Sequence, residues 1–391
     1  MLRLALALFA VQAGFHGFTA SLPLALARGG VPDPEIGLIV GTAALAQVPA
    51  AFVMGALIDR FGGRRVFVLA AVSYLLGAAI LALPGVQPGG AVWPFLLARV
   101  FQGIGLAASL PSALSLVPRL ISRDRQGFGL AFMGSAHNLT LTLLPPLSLI
   151  VLDAASLRGV AAVVFGIVVL GLSLESLRSE RSLLPAPAAS GTMTLAPRRF
   201  GLALRRSWLR PIAIVALYVL HWGVITAYLP QRAEAAGADI GLFFVADGVA
   251  ILALRIPSGW LADRTRPILL VIAGLAATAV AVGLLVLPPT TPLLTIAGAL
   301  TGASGGVLIT PLLVELSRRS GDADRGSAFS MFQAALATAL VLGSIGASPI
   351  VAAGGFEAAI LASLVGLGLA GVIALGDADL RPPRHGSVGT T

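Results

Sequence analysis

Cysteine and lysine are both absent from this 391-residue chain. Without thiols there is no disulfide and no thiolate metal cage. Without lysine, all 26 basic residues are arginines, whose charge persists at any ordinary pH. Charge of either sign is scarce: Asp, Glu, Lys and Arg together make 11% of the chain, against about 25% in soluble domains. That deficit excludes an ordinary water-soluble globular protein. Also missing are a phosphate-cradling loop of the G-x-x-x-x-G-K type, a hydrolytic triad and a metal-ligand cluster. An ATP-driven pump and a hydrolytic enzyme are therefore disfavoured, and no cofactor or metal is expected.

What fills the chain is apolar: 57% hydrophobic residues and a mean hydropathy of +0.95. A helix needs about 20 apolar residues to cross a hydrocarbon layer of about 30 Å. Stretches of that kind lie near 4–27, 36–58, 66–84, 93–117, 127–152, 157–177, 209–231, 240–262, 267–287, 292–316, 326–350 and 355–376. The reading is an all-α membrane protein with twelve spans, six per half. The first run ends in a small-x-small pattern at Ala25-Leu26-Ala27, as a cleaved signal would. Its length, its Gln12 and His16, and its counterpart at 209–231 argue for a retained helix.

The halves share one plan. A charged hinge reads GALIDRFGGRR at Gly55–Arg65 and GWLADRTR at Gly259–Arg266, and setting Asp59 on Asp263 gives an offset of 204. The same offset superposes Gly55 on Gly259 and Ile36-Gly37 on Ile240-Gly241, while Pro23/Pro230 and Gly30/Gly237 pair at 207. Internal duplication of this length predicts two pseudo-symmetric six-helix bundles. Residues 1–177 would form the first and 209–376 the second, joined by a basic, Pro/Ala/Ser-rich linker at 178–208 and followed by a tail at 377–391. A short amphipathic helix on the lipid surface is possible near Phe200–Trp208.

Arginine placement sets the orientation. Twenty-one of the arginines fall on one side, in the hinges, linker and ends, against Arg28, Arg158 and Arg232 on the other, with Arg99 and Arg255 inside spans. The positive-inside rule then puts both termini, the linker and the hinges in the cytoplasm. The net charge of +9 sits in loops flanking spans rather than on one soluble face, so no nucleic-acid partner is expected; the lipid bilayer and a small-molecule substrate are.

The hinge, its echo before the ninth span, and ARVFQGIG at Ala98–Gly105 resemble the major facilitator superfamily over the whole chain. Within it the chain looks most like bacterial drug/metabolite:proton antiporters of the inner membrane. The resemblance implies alternating access and a central cavity lined by the first, fourth, seventh and tenth helices. It implies a latch role for the hinge carboxylate and a part in proton coupling for Arg99. In one respect the chain departs: such antiporters carry Gly-Pro in a glycine-rich fifth helix, where this chain has Leu144-Pro145.

The residues themselves add the following. Gly55 and Gly62 would allow a sharp turn and close packing. Asp59 is placed to meet a helix amino end near 325–327, and Asp263 one near 126–127. Arg60, Arg64, Arg65 and Arg264 would hold the loops at anionic lipid. Ionisable groups within spans are costly unless paired or facing an aqueous cavity. Arg99 precedes Gln102 and Gly103 on one helical face, and its alternative fate is to snorkel outward. Asp247 and Arg255 are eight residues apart and cannot pair along one helix, so each needs a partner elsewhere. Asp247 is the candidate proton carrier, since a carboxyl inside the bundle can take up and release a proton as its access to water alternates. Glu315, beside Arg318 and Arg319, reads as a solvated helix end.

Polar stripes mark the expected cargo site: Gln12, His16 and Thr19 on the first helix, Tyr218, His221 and Trp222 on the seventh, His137 and Asn138 on the fifth. Aromatics and amides with few charges suit a modest amphipathic organic molecule. The expectation is a monomeric secondary transporter exporting such a compound against proton entry. The alternatives are a uniporter or proton symporter importing a small metabolite, and a receptor-like protein that moves nothing.

Overall fold

The computed structural model describes residues 1–117, 120, 126–176, 206–262, 266–319 and 325–377. Those residues are helical or in short turns, with no strand among them. Every backbone polar group in lipid must be satisfied within its own segment, and a helix is the open-ended way to do it. The first span is α1 (Leu2–His16) and α2 (Ser21–Arg28), broken at residues 17–20; α3 (Asp33–Phe61), α4 (Gly63–Ala82) and α5 (Trp93–Leu116) follow. α6 (Gln126–Ser176) holds the fifth and sixth spans, divided where Ser156 takes φ 65°. α7 (Arg206–Ala235), α8 (Ile240–Ala262), α9 (Pro267–Val286) and α10 (Thr291–Arg319) are the next four. The eleventh span is α11 (Arg325–Val341), a π-turn at Leu342–Gly346 and the start of α12 (Ser348–Leu375). Gly355, at φ 73°, separates it from the twelfth. Twelve crossings result, as the hydropathy pattern predicts.

The duplication is visible in the backbone. Gly30 and Gly237 both have positive φ, at 76° and 67°. Val31 N–H reaches back to the Leu26 carbonyl at 3.1 Å and Ala238 N–H to that of Ala233 at 2.9 Å, so the two equivalent turns close the preceding helix in the same way. On the opposite side the first hinge is tighter than its seven residues, Asp59–Arg65, suggest. α3 and α4 are joined by Gly62 alone, at φ 84°, a conformation that only glycine adopts without penalty. Of the second hinge, Arg266 is extended and Pro267 opens α9, while Asp263, Arg264 and Thr265 lie outside the described residues.

Among the nine long apolar segments of the described residues, those of the first and seventh spans are the most enclosed, with 78% and 61% of their apolar windows buried against at most 56% in the others. They form the centre, and the outer helices turn apolar faces such as Ile150, Val365 and Val372 to the lipid. Close approach inside each half depends on glycine in the fourth helix of the repeat. A side chain at Gly103 would strike the Ala43 carbonyl, and one at Gly302 the Asp247 carbonyl. Ala43 and Asp247 are themselves 204 residues apart.

Three expectations are corrected at the hinge end of the second half. Glu315 is not solvated: it is 6% exposed and pairs with Arg319 at 2.7 Å, whose guanidinium also meets Asp377 at 2.9 Å. Burial works against the charge on Arg319, and the two carboxylates more than restore it, so its pKa lies above its ordinary value. Asp377, placed in the tail by sequence, is fully buried and also reaches Arg210 at 3.5 Å. Trp208 belongs to α7 and is buried, its indole N–H donating to the Arg319 carbonyl at 3.2 Å. It is therefore not part of a helix lying on the lipid; residues 200–205 lie outside the described ones.

Candidate functional site

A cavity of about 560 Å³ lies between the halves. Its lining comes from the first, second, fourth and fifth spans and from their counterparts, the seventh, eighth, tenth and eleventh. That is twice the helix set expected, because the broken first span and the glycine contacts let the neighbouring helices reach the centre. Seven of the eight residues expected to meet cargo line it: Gln12, His16, Thr19, His137, Tyr218, His221 and Trp222. Asn138 does not. One residue on from His137 is a rotation of about 100° around the helix, and Asn138 is buried with no partner for its Nδ2, away from the cavity.

The first-half wall is polar and basic. Gln12 holds His137 through Oε1 at 2.7 Å and reaches Ser109 through Nε2 at 3.4 Å. The His16 and His137 rings meet edge on at 5.7 Å. Both His16 nitrogens are buried without a hydrogen-bond partner, as is the Thr19 hydroxyl. Arg99 is 3% exposed, so it does not snorkel. It donates to Gln102 Oε1 at 2.7 Å and to the Val40 carbonyl at 2.9 Å, lies 4.8 Å from the Phe15 ring centre, and leaves Nε unpartnered.

The second-half wall is aromatic. Trp222 stacks on Phe243 at 6.2 Å and meets Phe244 edge on at 6.4 Å. Tyr218 shares a hydrogen bond of 2.8 Å with Ser304, which in turn meets Thr278. His221 Nδ1 lies 2.5 Å from the Tyr218 carbonyl. Asp247 lines the cavity and is 6% exposed. The partner it needs is Thr301 on α10, a residue that no sequence signal singled out, whose hydroxyl lies 2.9 Å from Asp247 Oδ1 and 2.8 Å from the Gly298 carbonyl. One hydroxyl proton can serve only one of these acceptors at a time. With the carboxylate ionised it turns to Asp247; with the carboxyl protonated, Thr301 accepts from Asp247 and donates to Gly298. Arg255 is exposed and stands outside the cavity lining.

The halves meet at the end away from the hinges. Gly37 lies against the Tyr228 hydroxyl and Ser344 carbonyl, Gly41 against Ser344 and Ile345, Gly241 against Pro146, and Gly248 against Thr142. Arg28 bridges the halves there, its Nε donating to Glu234 at 2.5 Å, and it also holds Asp153 at 2.8 Å. Toward the hinges the cavity continues, and Gly55 and Gln333 are exposed along it. The space beside Gly55 is open rather than filled by a packed neighbour. Asp59 and Arg60 lie in the last turn of α3 and Arg64 and Arg65 in the first of α4. The Arg60 guanidinium sits 5.2 Å from the Phe61 ring centre. Gly259 is in α8 near its end. The side chain of Asp59 and those at 325–327 and 126–127 lie outside what the structure describes, as does Asp263.

A family model described as Major Facilitator Superfamily matches residues 4–246 and again 215–390. Synaptic vesicle glycoprotein 2B of Rattus norvegicus is 33% identical over 100 residues, 25% of this chain and 13% of that protein; the Homo sapiens protein is 32% identical over a stretch of the same length. The chain thus matches only about an eighth of those relatives' length. Among solved structures, a peptide transporter, POT, in complex with alafosfalin superposes with a TM-score of 0.79 at 14% identity, covering 97% of this chain and 95% of that one. A D-xylose-proton symporter superposes at 0.74 and 18% identity, over 97% of both chains. A nucleoside transporter does so at 0.71 and 12%, over 96% of this chain and 98% of that one. At these identities the superpositions show the fold.

Proposed function

The chain belongs to the major facilitator superfamily and is a multi-pass membrane transporter of that type; on that premise we propose that it couples proton entry to export of a small amphipathic organic compound. The observation that carries this reading is Asp247, a carboxyl in the wall of a cavity enclosed by both halves, with a neutral hydroxyl as its partner. A buried carboxyl without a fixed counter-ion can change its protonation as the cavity changes sides. Thr301 is positioned to follow that change by turning its one proton between Asp247 and Gly298.

The bodies that move are the two six-helix halves, the second of which takes in α7 from Arg206 and the buried Asp377, joined through the segment that precedes Arg206. The arginine-rich hinge end is cytoplasmic by the positive-inside rule, in a bacterial inner membrane on the resemblance stated above. The arrangement described is then open inward, with Arg28, Gly37, Gly41 and Gly241 sealing the outer side. Asp59 at the end of α3, with Arg60, Arg64 and Arg65 around Gly62, supplies the latch that closes the inner side, and Asp263 with Arg264 its counterpart. Arg99 takes part in coupling from the opposite wall, and Arg255 from the inner end of α8. The monomer is proposed as the working unit, with both halves of one chain lining the cavity.

Export is tested in proteoliposomes carrying a substrate library and an imposed pH gradient, wild type against Asp247→Asn. Gradient-driven flux in the wild type, with at least a tenfold loss in the variant, is expected from removing a group that carries the proton. Unchanged flux in the variant would refute the carrier assignment. Import in symport with protons is the second reading, favoured by Leu144-Pro145 standing where antiporters have Gly-Pro; reversing the gradient separates the two.

A further inference from the structure

The cavity holds two unmatched charges, and they differ in what they can do about it. Asp247 has, among the described residues, only Thr301 as a side-chain partner, yet it can neutralise itself by taking up a proton. Arg99 cannot: a guanidinium keeps its charge in a protein, and its partners are a neutral amide, a carbonyl and the face of Phe15. Among the described residues no carboxylate forms an ion pair with it. Placing such a charge in a membrane interior is costly until an anion meets it. On the same wall lie further unsatisfied groups: both nitrogens of His16, itself 3% exposed, and the Thr19 hydroxyl. Arg99 Nε is a donor only, imidazole always carries at least one N–H, and a hydroxyl supplies another. The facing wall offers Trp222, Phe244 and Tyr218 and, apart from Asp247, no charge.

We infer that the cargo is an amphipathic organic acid, its carboxylate turned to Arg99, His16 and Thr19 and its apolar or aromatic body against Trp222 and Phe244. A carboxylate presents two acceptor oxygens to a surplus of donors and supplies the missing counter-charge; an amine would face unpartnered donors and a fixed cation. The cavity of about 560 Å³ is within the size range of drug-sized ligand pockets. This inference rests on the reading of the cavity as a transport site.

The test uses three probes that share one phenylpropyl skeleton, 3-phenylpropionate, 3-phenylpropionamide and 3-phenylpropylamine, titrated against the full-length protein in lipid nanodiscs and followed by tryptophan fluorescence. The carboxylate should bind at least about tenfold more tightly than the amide, the size of a charge-assisted hydrogen-bond set over a neutral one, and the amine weakest. His16→Ala and Thr19→Val should each weaken the carboxylate and leave the amide unchanged. Arg99→Gln should abolish the preference and Arg99→Lys regain part of it. A carboxylate no better than the amide, including no binding by either, overturns the inference, as does an amine that binds best. Flux distinguishes the two levels. If the carboxylate binds selectively but no pH gradient moves it, the coupled-transport reading fails while the assignment of the site stands; if only the amine is driven across, the reverse holds.

Discussion

Arg28 bridging to Glu234 is the one ion pair seen between the halves among the described residues, and neutralising it should unseal the outer side by a predictable, modest amount. The side chains of Arg28 and Glu234 are 40% and 37% exposed, so solvent screens them and the pair stabilises the closed arrangement by about 0.2–1 kcal/mol. Asp153 on the first half also holds Arg28, and that contact moves with Arg28 when the halves part, so it does not count toward the seal. Glu234→Gln should therefore raise the ratio of outward-open to closed molecules by about 1.4- to fivefold. Glu234→Arg adds repulsion between two cations, about 1 kcal/mol at 4 Å in water, for a combined shift of about tenfold or somewhat more. Because the chain has no cysteine, Glu35→Cys and Ala236→Cys give one spin label on each half at the outer ends of α3 and α7 without further changes. Distance distributions by double electron–electron resonance then read the two populations directly. In 1 M salt, where the Debye length falls to about 3 Å, the difference between wild type and variants should largely vanish. An unchanged distribution in Glu234→Arg would show that the apolar and glycine contacts alone set the equilibrium. A shift that survives high salt would show a steric cause, and either result refutes the electrostatic argument.

Three further outcomes are expected. Thr301→Val removes the hydroxyl from Asp247 while keeping the shape, and should slow proton-coupled flux by about tenfold or more, with Thr301→Ser restoring most of it in the same vesicle assay. Gly302→Ala drives a methyl into the Asp247 carbonyl and should cost about 1–3 kcal/mol, whereas Gly283→Ala, with open space beside it, should be neutral or gain up to about 1 kcal/mol; thermal unfolding in detergent ranks the two. Asp377→Asn removes one of the two carboxylates that meet Arg319 and keeps Glu315, so its cost should be nearer about 1–3 kcal/mol than the about 3–5 of a fully orphaned buried charge. Glu315→Gln combined with it should exceed the sum of the single effects, measured by the same unfolding.

The spans and the repeat were legible because both are written along the chain: twenty apolar residues mark a crossing, and an offset of 204 needs no third dimension. The cavity was legible to the resolution of a helix face. His137 and Asn138 are neighbours in sequence, and choosing between them requires knowing the rotation of the fifth helix, which Thr142 sets by packing on Gly248 across the halves. Partners from distant segments were illegible. Glu315 and Arg319 at i,i+4 could be paired on paper, but their burial comes from Asp377, 58 residues beyond Arg319. Thr301 looked like any threonine in an apolar helix until α8 and α10 came together over Gly302. Arg28 and Glu234 stand just before Gly30 and Gly237, so the outer turns did carry a signal, visible once those glycines are known to cap equivalent helices.

The duplication also shows which residues are additions to the scaffold. Counting back 199 residues along the fourth helix of each repeat puts Gly302 on Gly103 and Thr301 on Gln102. Both glycines press on carbonyls of residues 204 apart, Ala43 and Asp247. Each half also carries a polar relay leading from its first helix through a serine of its fourth to its third: Gln12, Ser109 and Tyr74 in one, Tyr218, Ser304 and Thr278 in the other. Tyr74 and Thr278 are again 204 apart. Against that shared frame the charges differ. Asp247 stands where the first half has Ala43, and Arg99 where the second has Gly298. The residue between them adapts in each half: Gln102 offers its oxygen to the guanidinium, Thr301 its hydroxyl to the carboxyl or to Gly298. A symmetric bundle needs neither charge to fold or to rock. On the function and cargo proposed above, their placement, one per half on facing walls, has a reason: an anion would be met by the charge that cannot be lost, and a proton carried by the one that can.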